Sequence, residues 1–523
     1  MSTLTKYKFE GTEMNNQLLM GHPSGLFILF FTEMWERFSY YGMRALLVMF
    51  LISAFDDGGW AWSREEALGL YGTYTMMVYF TPIIGGILAD RLLGYRNAVA
   101  IGALLMTLGH ASMALNTPWG LYVGIGLLIA GNGFFKPNIT SIINGVYKNA
   151  QEKKDGAFTI FYMGVNAGAF LGIMLCGYVG ETYGWHYGFG LAGIFMFLGM
   201  LQFWFAQGIF GKVGLKPSKE DDLSDAIENE DVKSYDDVPA NVQRDRYIVV
   251  GILAFFTIFF WAAFEQAGGS MTIFAKDYTN RLLEGSAANI FRISNTILTI
   301  VPLVIITYVL ISLFKITYKK YALSNTFLGI SFAIIWFIVI TMLYNQFSQT
   351  KTEIPASWFG ILNSFFIIAF APLFSKIWES KYNPPATVKF GVGLILLGLG
   401  FLVLAYGASD IPQGAKTASV SVIWLILAYL LHTLGELSLS PVGLSYVSKL
   451  VPGKMIAMMF GLWYIAVGMG NKLAGMMGGM IDTITAEHSM STFFLIFTFV
   501  PIGAGLMIMA LTPIVKKLMH GVK

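Results

Sequence analysis

The chain has 523 residues, 55% of them hydrophobic and only 12% charged, with 34 basic and 31 acidic side chains and a net charge of +3. A soluble domain carries about 25% charged residues, so this composition, with a mean hydropathy of +0.62, excludes a soluble enzyme, a disordered chain and a nucleic-acid binder. The one cysteine, Cys176, excludes a disulfide framework and a thiolate metal site. What remains is an all-α polytopic membrane protein.

A hydrocarbon core of ~30 Å asks for roughly 20 apolar residues per helical crossing, because lipid cannot satisfy open backbone groups. Such windows fall at 26–53, 68–89, 97–115, 119–145, 157–180 and 188–210. A polar stretch at 211–245 follows, containing KPSKEDDLSDAIENEDVKSYDD, and it is too charged to enter a bilayer. Eight more windows come after it, at 247–275, 292–315, 321–344, 355–378, 387–408, 419–449, 455–481 and 492–513, for fourteen spans in all. The first apolar run begins only after Met20, is long enough to span and carries Glu33, Glu36 and Arg37, so no cleavable signal peptide is expected.

With the N-terminus inside, most basic residues fall on the cytoplasmic side, including Arg91, Arg96, Lys148, Lys153, Lys154, Lys315, Lys319, Lys320, Lys516 and Lys517. That asymmetry orients the chain, with both termini cytoplasmic in a cell membrane. The expected division is a cytoplasmic N-terminus (1–25), a six-helix bundle (26–210), a cytoplasmic linker (211–245), the first helix of a second bundle (246–290), an inserted helix pair (291–345), the remaining five helices (346–515) and a tail (516–523). Two halves with charges at mid-span are the pattern of a transporter whose bundles rock. No repeat between the halves is visible in the sequence itself.

Ionisable side chains at bilayer depth cost several kcal/mol, so they pair, face cavities and serve function. In TEMWERFSYYGMRALL, Glu33 and Arg37 are i,i+4 neighbours and Glu33 and Glu36 are i,i+3, so that Glu33, Glu36, Arg37, Tyr40 and Arg44 share one broad face. Two carboxylates beside one guanidinium do not all ionise comfortably, and one acid is expected to exchange a proton. Coupled to Lys136 on a neighbouring helix, the group has the parts of a protonation switch; the alternative is an inert buried ion-pair knot that fixes packing. Glu265 and Glu436 lie in the second half, so a cavity lined by both halves suits a zwitterion, its carboxylate toward Arg44 and Lys136 and its ammonium toward Glu436. Asn166 and Asn363 are buried amides that either bind an ammonium or peptide group or tie helices together. Tyr40, Tyr41, Tyr79, Trp261 and Trp463 are candidates for side-chain pockets, against the plainer role of packing. The six histidines form no metal-ligand spacing, and neither a Walker loop nor a dinucleotide fingerprint is present. No metal or cofactor is expected, and energy is expected to come from an ion gradient.

The motif from Glu33 to Gly42, EMWERFSYYG, resembles the first-helix signature of the proton-dependent oligopeptide transporters, a branch of the major facilitator superfamily. GGILADRLLG from Gly85, GNGFFKPN from Gly131, FYMGVNAG from Phe161, WAAFEQ from Trp261 and GELSLSP from Gly435 agree with it in order along both halves. The resemblance implies the major facilitator fold, two six-helix bundles plus an inserted pair, and proton-coupled import of di- and tripeptides by alternating access. It implies that Glu33, Glu36, Arg37 and Lys136 couple the proton, with Glu265 pairing Arg44 at an outer gate. Arg44 and Lys136 would face the peptide carboxylate, and Asn166, Asn363 and Glu436 would hold the amino end. Tyr40, Tyr41, Tyr79, Trp261, Ser440 and Trp463 would complete the substrate site. The expected partners are peptides, protons and membrane lipid, with no nucleic acid, and the working unit is expected to be a monomer, not an enzyme.

Three features depart from the family pattern. Ala169-Phe170 stands where Ser-Leu is usual, and the second span has no histidine, so carboxylates must carry the proton. The inserted pair lies between Glu265 and Asn363, where bacterial members often place it between spans six and seven; it is expected to pack outside the twelve-helix core. The alternative cargo for the same fold is an amino acid, nitrate or another small zwitterion.

Overall fold

The computed structural model describes residues 8–216, 239–381, 383–452 and 455–522. The charged part of the expected linker, 217–238, lies outside the described residues.

Among the described residues fourteen helices have 19 residues or more, and they follow the expected spans in order. They are α1 (Ser24–Ile52), α2 (Arg64–Leu88), α3 (Tyr95–Ala114), α4 (Pro118–Val146), α5 (Lys154–Tyr183), α6 (Trp185–Ala206) and α7 (Ala240–Phe264). Then come α8 (Gly285–Thr317), α9 (Ala322–Ser348), α10 (Ile361–Glu379), α11 (Ala386–Gly407), α12 (Ile423–Leu450), α13 (Ile456–Gly479) and α14 (Met490–Ala510). Twelve of the described helices are both long and apolar enough to cross a bilayer. The other two, α1 and α13, have 29 and 24 residues, long enough for a ~30 Å core at 1.5 Å per residue. In α1 the charges Glu33, Glu36, Arg37 and Arg44 lower the apolarity.

The helix ends follow local chemistry. Asn15 Oδ1 accepts from Gly25 N at 2.8 Å and so caps the start of α1, while Thr12 N donates to Ile209 O at 3.0 Å. The N-terminal segment is thereby fastened beneath its own bundle. At α4, Thr117 Oγ1 accepts from Gly120 N at 3.0 Å, ahead of Pro118 at the first helical position. The span expected at 247–275 runs from Ala240 to Tyr278, with α7 passing at Phe264 into a tighter helical turn over Glu265–Gly268. Glu265 stands where the α-helix gives way to that turn. The span expected to start at 419 begins at Ile423, because Val420–Ser421 pairs in parallel with Thr279–Asn280.

The chain folds into two compact units. Among the described residues the first takes in 8–46, 81–216 and 281–358, and the second 47–80, 239–280 and those from 359 to 522. This differs from the division read along the sequence in two places: the α8–α9 pair joins the first unit, and the end of α1 with the start of α2 joins the second.

Within each unit the third helix of the half packs on the fourth and the sixth: α3 on α4 and α6, and α11 on α12 and α14. Facing glycines make these approaches possible. A Cβ on Gly131 would lie 2.7 Å from Gly102 O between α4 and α3, and one on Gly435 would lie 2.7 Å from Gly393 O between α12 and α11. The repeat that is invisible in the residue string therefore exists as a packing pattern.

In the first unit, α8 and α9 form a hairpin tied along its seam. Asn295 Nδ2 donates to Gln346 Oε1 at 2.9 Å and Trp336 Nε1 to Thr307 Oγ1 at 3.1 Å. Its base is closed by Leu282–Leu283 against Thr352–Glu353 and by buried Arg292, which donates to Thr352 Oγ1 at 2.7 Å and Gln349 O at 2.6 Å.

Candidate functional site

In the first unit the α1 motif folds as its spacing requires. Glu33, Glu36 and Arg37 are buried at 4%, 0% and 5% exposure. Arg37 Nε lies 3.0 Å from Glu33 Oε1, and Arg37 also forms an ion pair with Glu36, its Nη2 donating to Glu36 Oε1 at 3.0 Å. Asn132 of α4 donates to the same Glu36 oxygen at 3.2 Å. Lys136, one turn further along α4, is within electrostatic reach of Glu33, Glu36 and Arg37. The guanidinium of Arg37 sits 5.3 Å from the ring centroid of Tyr40, and that of Arg44 sits 5.8 Å from the ring of Tyr41. The structure thus brings Glu33, Glu36, Arg37 and Lys136 together.

The two acids are not equivalent. Glu36 is held by both Arg37 and Asn132. Glu33 shares Arg37 through one oxygen and has no bond from Asn132, and the Oε2 of each acid is buried with no hydrogen-bond partner among the described residues. A buried acceptor without a donor is costly as an anion and is relieved by a proton.

The flank of this cluster is set by α5. Gly164, Gly168 and Gly172, one turn apart, lie against the α1 backbone at Phe30, Met34 and Phe38. Asn166, on the same α5 segment, is buried and donates to Tyr162 O at 2.9 Å within its own helix.

In the second unit, Glu436 of α12 accepts from Asn363 Nδ2 at 2.9 Å, and the same amide donates to Thr433 Oγ1 at 3.1 Å. Ser440, one turn on from Glu436, has a buried Oγ with no hydrogen-bond partner among the described residues. Glu265 is 2% exposed, accepts from Tyr71 OH at 3.1 Å and lies within electrostatic reach of Glu436. Glu265, Asn363 and Glu436 therefore form a second acidic group. The aromatic candidates of this unit are spread out. Tyr79 lies 6.1 Å from Tyr464, Trp261 packs edge-on to Phe264 at 5.4 Å, and Trp463, 4% exposed, lies over Gly443 and edge-on to Phe390 at 6.1 Å.

Three polar groups that the sequence did not single out make cross-helix contacts. Asn132 had a usable signal: it is i−4 to Lys136 on α4, so it shares the face of that lysine. Arg64, at the start of α2, lies 2.6 Å from Asp277 Oδ2 and 2.8 Å from Asp482 Oδ1, and donates to Tyr278 OH at 3.1 Å. Each of those charges reads as an ordinary span-end residue, and their separation along the chain hides the cluster. The third is Glu181, at the end of α5 in the first unit, which accepts from Ala356 N at 2.8 Å and from Ser357 N and Oγ at 2.9 and 2.5 Å. No group of histidine, cysteine and acidic residues among the described residues is arranged to hold a metal.

Comparison with known proteins gives one consistent result. A family model described as the POT family matches residues 96–233 and 327–495. The peptide transporter YePEPT of Yersinia enterocolitica is 32% identical, with 96% of each chain covered. Dipeptide and tripeptide permease A of Escherichia coli is 26% identical over 93% of this chain and 90% of its own. Among solved structures, the peptide transporter POT in complex with sulfate superposes with a TM-score of 0.72 at 28% identity, covering 97% of both chains. A POT family transporter in complex with 5-aminolevulinic acid gives 0.73 at 26% identity, covering 95% of this chain and 98% of that one.

Proposed function

The chain belongs to the POT family, and on that premise we propose that it is a proton-coupled symporter importing di- and tripeptides by alternating access, with both termini cytoplasmic. The observation that carries the reading is the unequal pair of motif acids. Glu36 is anchored by both Arg37 and Asn132, whereas Glu33 is held by Arg37 alone among the described residues. Glu33 is the proton acceptor in this reading. Its protonation weakens its pull on Arg37 and on Lys136, changing the charge offered to a substrate carboxylate.

In the first unit, Arg44 and Lys136 receive the peptide carboxylate, and Asn166 bonds the backbone. In the second, Glu436, positioned by Asn363, receives the amino end, with the Ser440 hydroxyl beside it. Tyr40, Tyr41, Tyr79, Trp261 and Trp463 contact side chains, and Glu265 is a second protonation site. The distribution of basic residues supports a cytoplasmic membrane location with the termini inside.

The test is uptake of labelled dialanine into proteoliposomes under an inward proton gradient. Gradient-driven uptake is expected in the native chain and its loss in Glu33→Gln; undiminished uptake by that variant would sink the proton role. A second reading keeps the coupling but changes the cargo to another small zwitterion, in line with the relative solved with 5-aminolevulinic acid. Competition by alanyl dipeptides and not by free amino acids decides for peptides.

A further inference from the structure

The α1 motif has a back as well as a front. Glu33, Glu36 and Arg37 occupy one face, while Phe31, Thr32 and Trp35 turn to the other, where all three are fully buried. Trp35 stacks on Phe195 of α6 at 5.2 Å and meets the edge of Phe332 of α9 at 5.7 Å; Phe31 meets the same Phe332 ring at 5.8 Å. A polar chain runs beside this aromatic contact. Ser324 Oγ of α9 donates to Gln202 O at 2.8 Å, Thr32 Oγ1 donates to Gln202 Oε1 at 3.1 Å, and Gln202 Nε2 donates to Ile28 O at 3.2 Å. The inserted hairpin thus abuts the first bundle at the helix segment that carries the acid pair.

We propose that the hairpin is a positioning element of the proton network, acting through Phe332 on Trp35. A helix is stiff, so the depth and rotation of Trp35 fix those of Glu36 beside it and of Glu33 half a turn away. The glycine stripe of α5 holds one flank of α1, Phe195 and Gly199 of α6 hold part of the back, and Phe332 closes the rest. The charged groups facing the acid pair are Arg37 from α1 and Lys136 from α4, while Tyr40 and Tyr41 face Arg37. The 3.2 Å bond from Asn132 of α4 to Glu36 does not survive a rotation of α1 that moves Glu36 by an ångström. The hairpin therefore sets the pH dependence of transport while touching neither proton nor peptide. This role rests on the proposed proton-coupled function.

The experiment compares Phe332→Ala with the native full-length chain in proteoliposomes, measuring dialanine uptake against external pH and dialanine counterflow at symmetrical pH. The expected result is a midpoint displaced by about half a pH unit or more, a gradient-driven rate lowered about tenfold, and counterflow within about twofold of native. Phe332→Met, of similar volume, is expected to restore the native profile. Phe337→Ala on the exposed side of the same helix is expected to leave it unchanged. Should Phe332→Ala fail to reach the membrane, Ser324→Ala makes the same test by removing the bond to Gln202. A folded variant with the native midpoint and the native ratio of gradient-driven uptake to counterflow overturns the proposal, as does an equal shift from Phe337→Ala. A native chain without proton-driven uptake would instead overturn the function itself, so the two failures are distinguishable.

Discussion

Substituting Gly168 by alanine tests the claim that α5 sets the place of the acid pair. A Cβ there would lie 2.9 Å from the Cβ of Arg37, and closer still to the carbonyl oxygen of Met34. Neither atom is the far end of a flexible side chain, so no rotamer change relieves the contact, and α1 and α5 must part by about 1 Å. Overpacking of this kind costs about 1–3 kcal/mol. At about 2–4 °C per kcal/mol the apparent melting temperature falls by roughly 2–12 °C. The displacement of α1 against α4 stretches the Asn132–Glu36 bond beyond its 3.2 Å and weakens it by about 1 kcal/mol. Gradient-driven uptake is then expected to fall about fivefold. Melting is followed by tryptophan fluorescence in detergent and uptake in proteoliposomes. Gly126 of α4, whose added Cβ would meet nothing within 4 Å, is the control: Gly126→Ala is expected to match the native chain in both assays. Gly168→Ala with native melting and native uptake would refute the packing argument.

Glu181→Ala removes three hydrogen bonds and strands the amides of Ala356 and Ser357, with an expected loss of about 3 kcal/mol or more; hydrogen exchange should quicken at 354–360, and unchanged protection there would show the carboxylate to be dispensable. His22 makes a 2.7 Å hydrogen bond between its Nδ1 and Tyr147 OH, and burial, then nearby Lys153, hold its pKa below the ordinary value of about 6.5. A depressed folded-state value means that its contribution is complete above about pH 6.5 and is lost as the pH falls below it. Melting temperature should therefore drop on acidification through that window, and His22→Phe should flatten the drop; an identical slope in the variant would exclude the histidine as its source.

Much of the architecture is decided locally, and so it is legible in the residue string. Crossing a ~30 Å apolar layer demands runs of about 20 apolar residues, and the fourteen long helices appear in the expected order for that reason. The i,i+4 spacing of Glu33 and Arg37 makes their ion pair a property of one helix. A charge inside a span stands out because it is costly there, which is why Lys136, Glu265 and Glu436 could be singled out beforehand.

Tertiary structure decided which groups meet across helices. Hydropathy says that a segment leaves water but not which neighbour it touches, since lipid and protein interiors are equally apolar. The α8–α9 hairpin accordingly gives no sign in its sequence that it belongs with the first unit, or that Phe332 stands behind Trp35. The tighter turn after Phe264, the bond from Asn132 that separates Glu36 from Glu33, and the facing glycines Gly102–Gly131 and Gly393–Gly435 depend on backbones meeting at distances no single strand of sequence records. Local energetics placed the helices and the charges along them; the close contacts of glycines, amides and aromatic rings decided how those charges differ from one another.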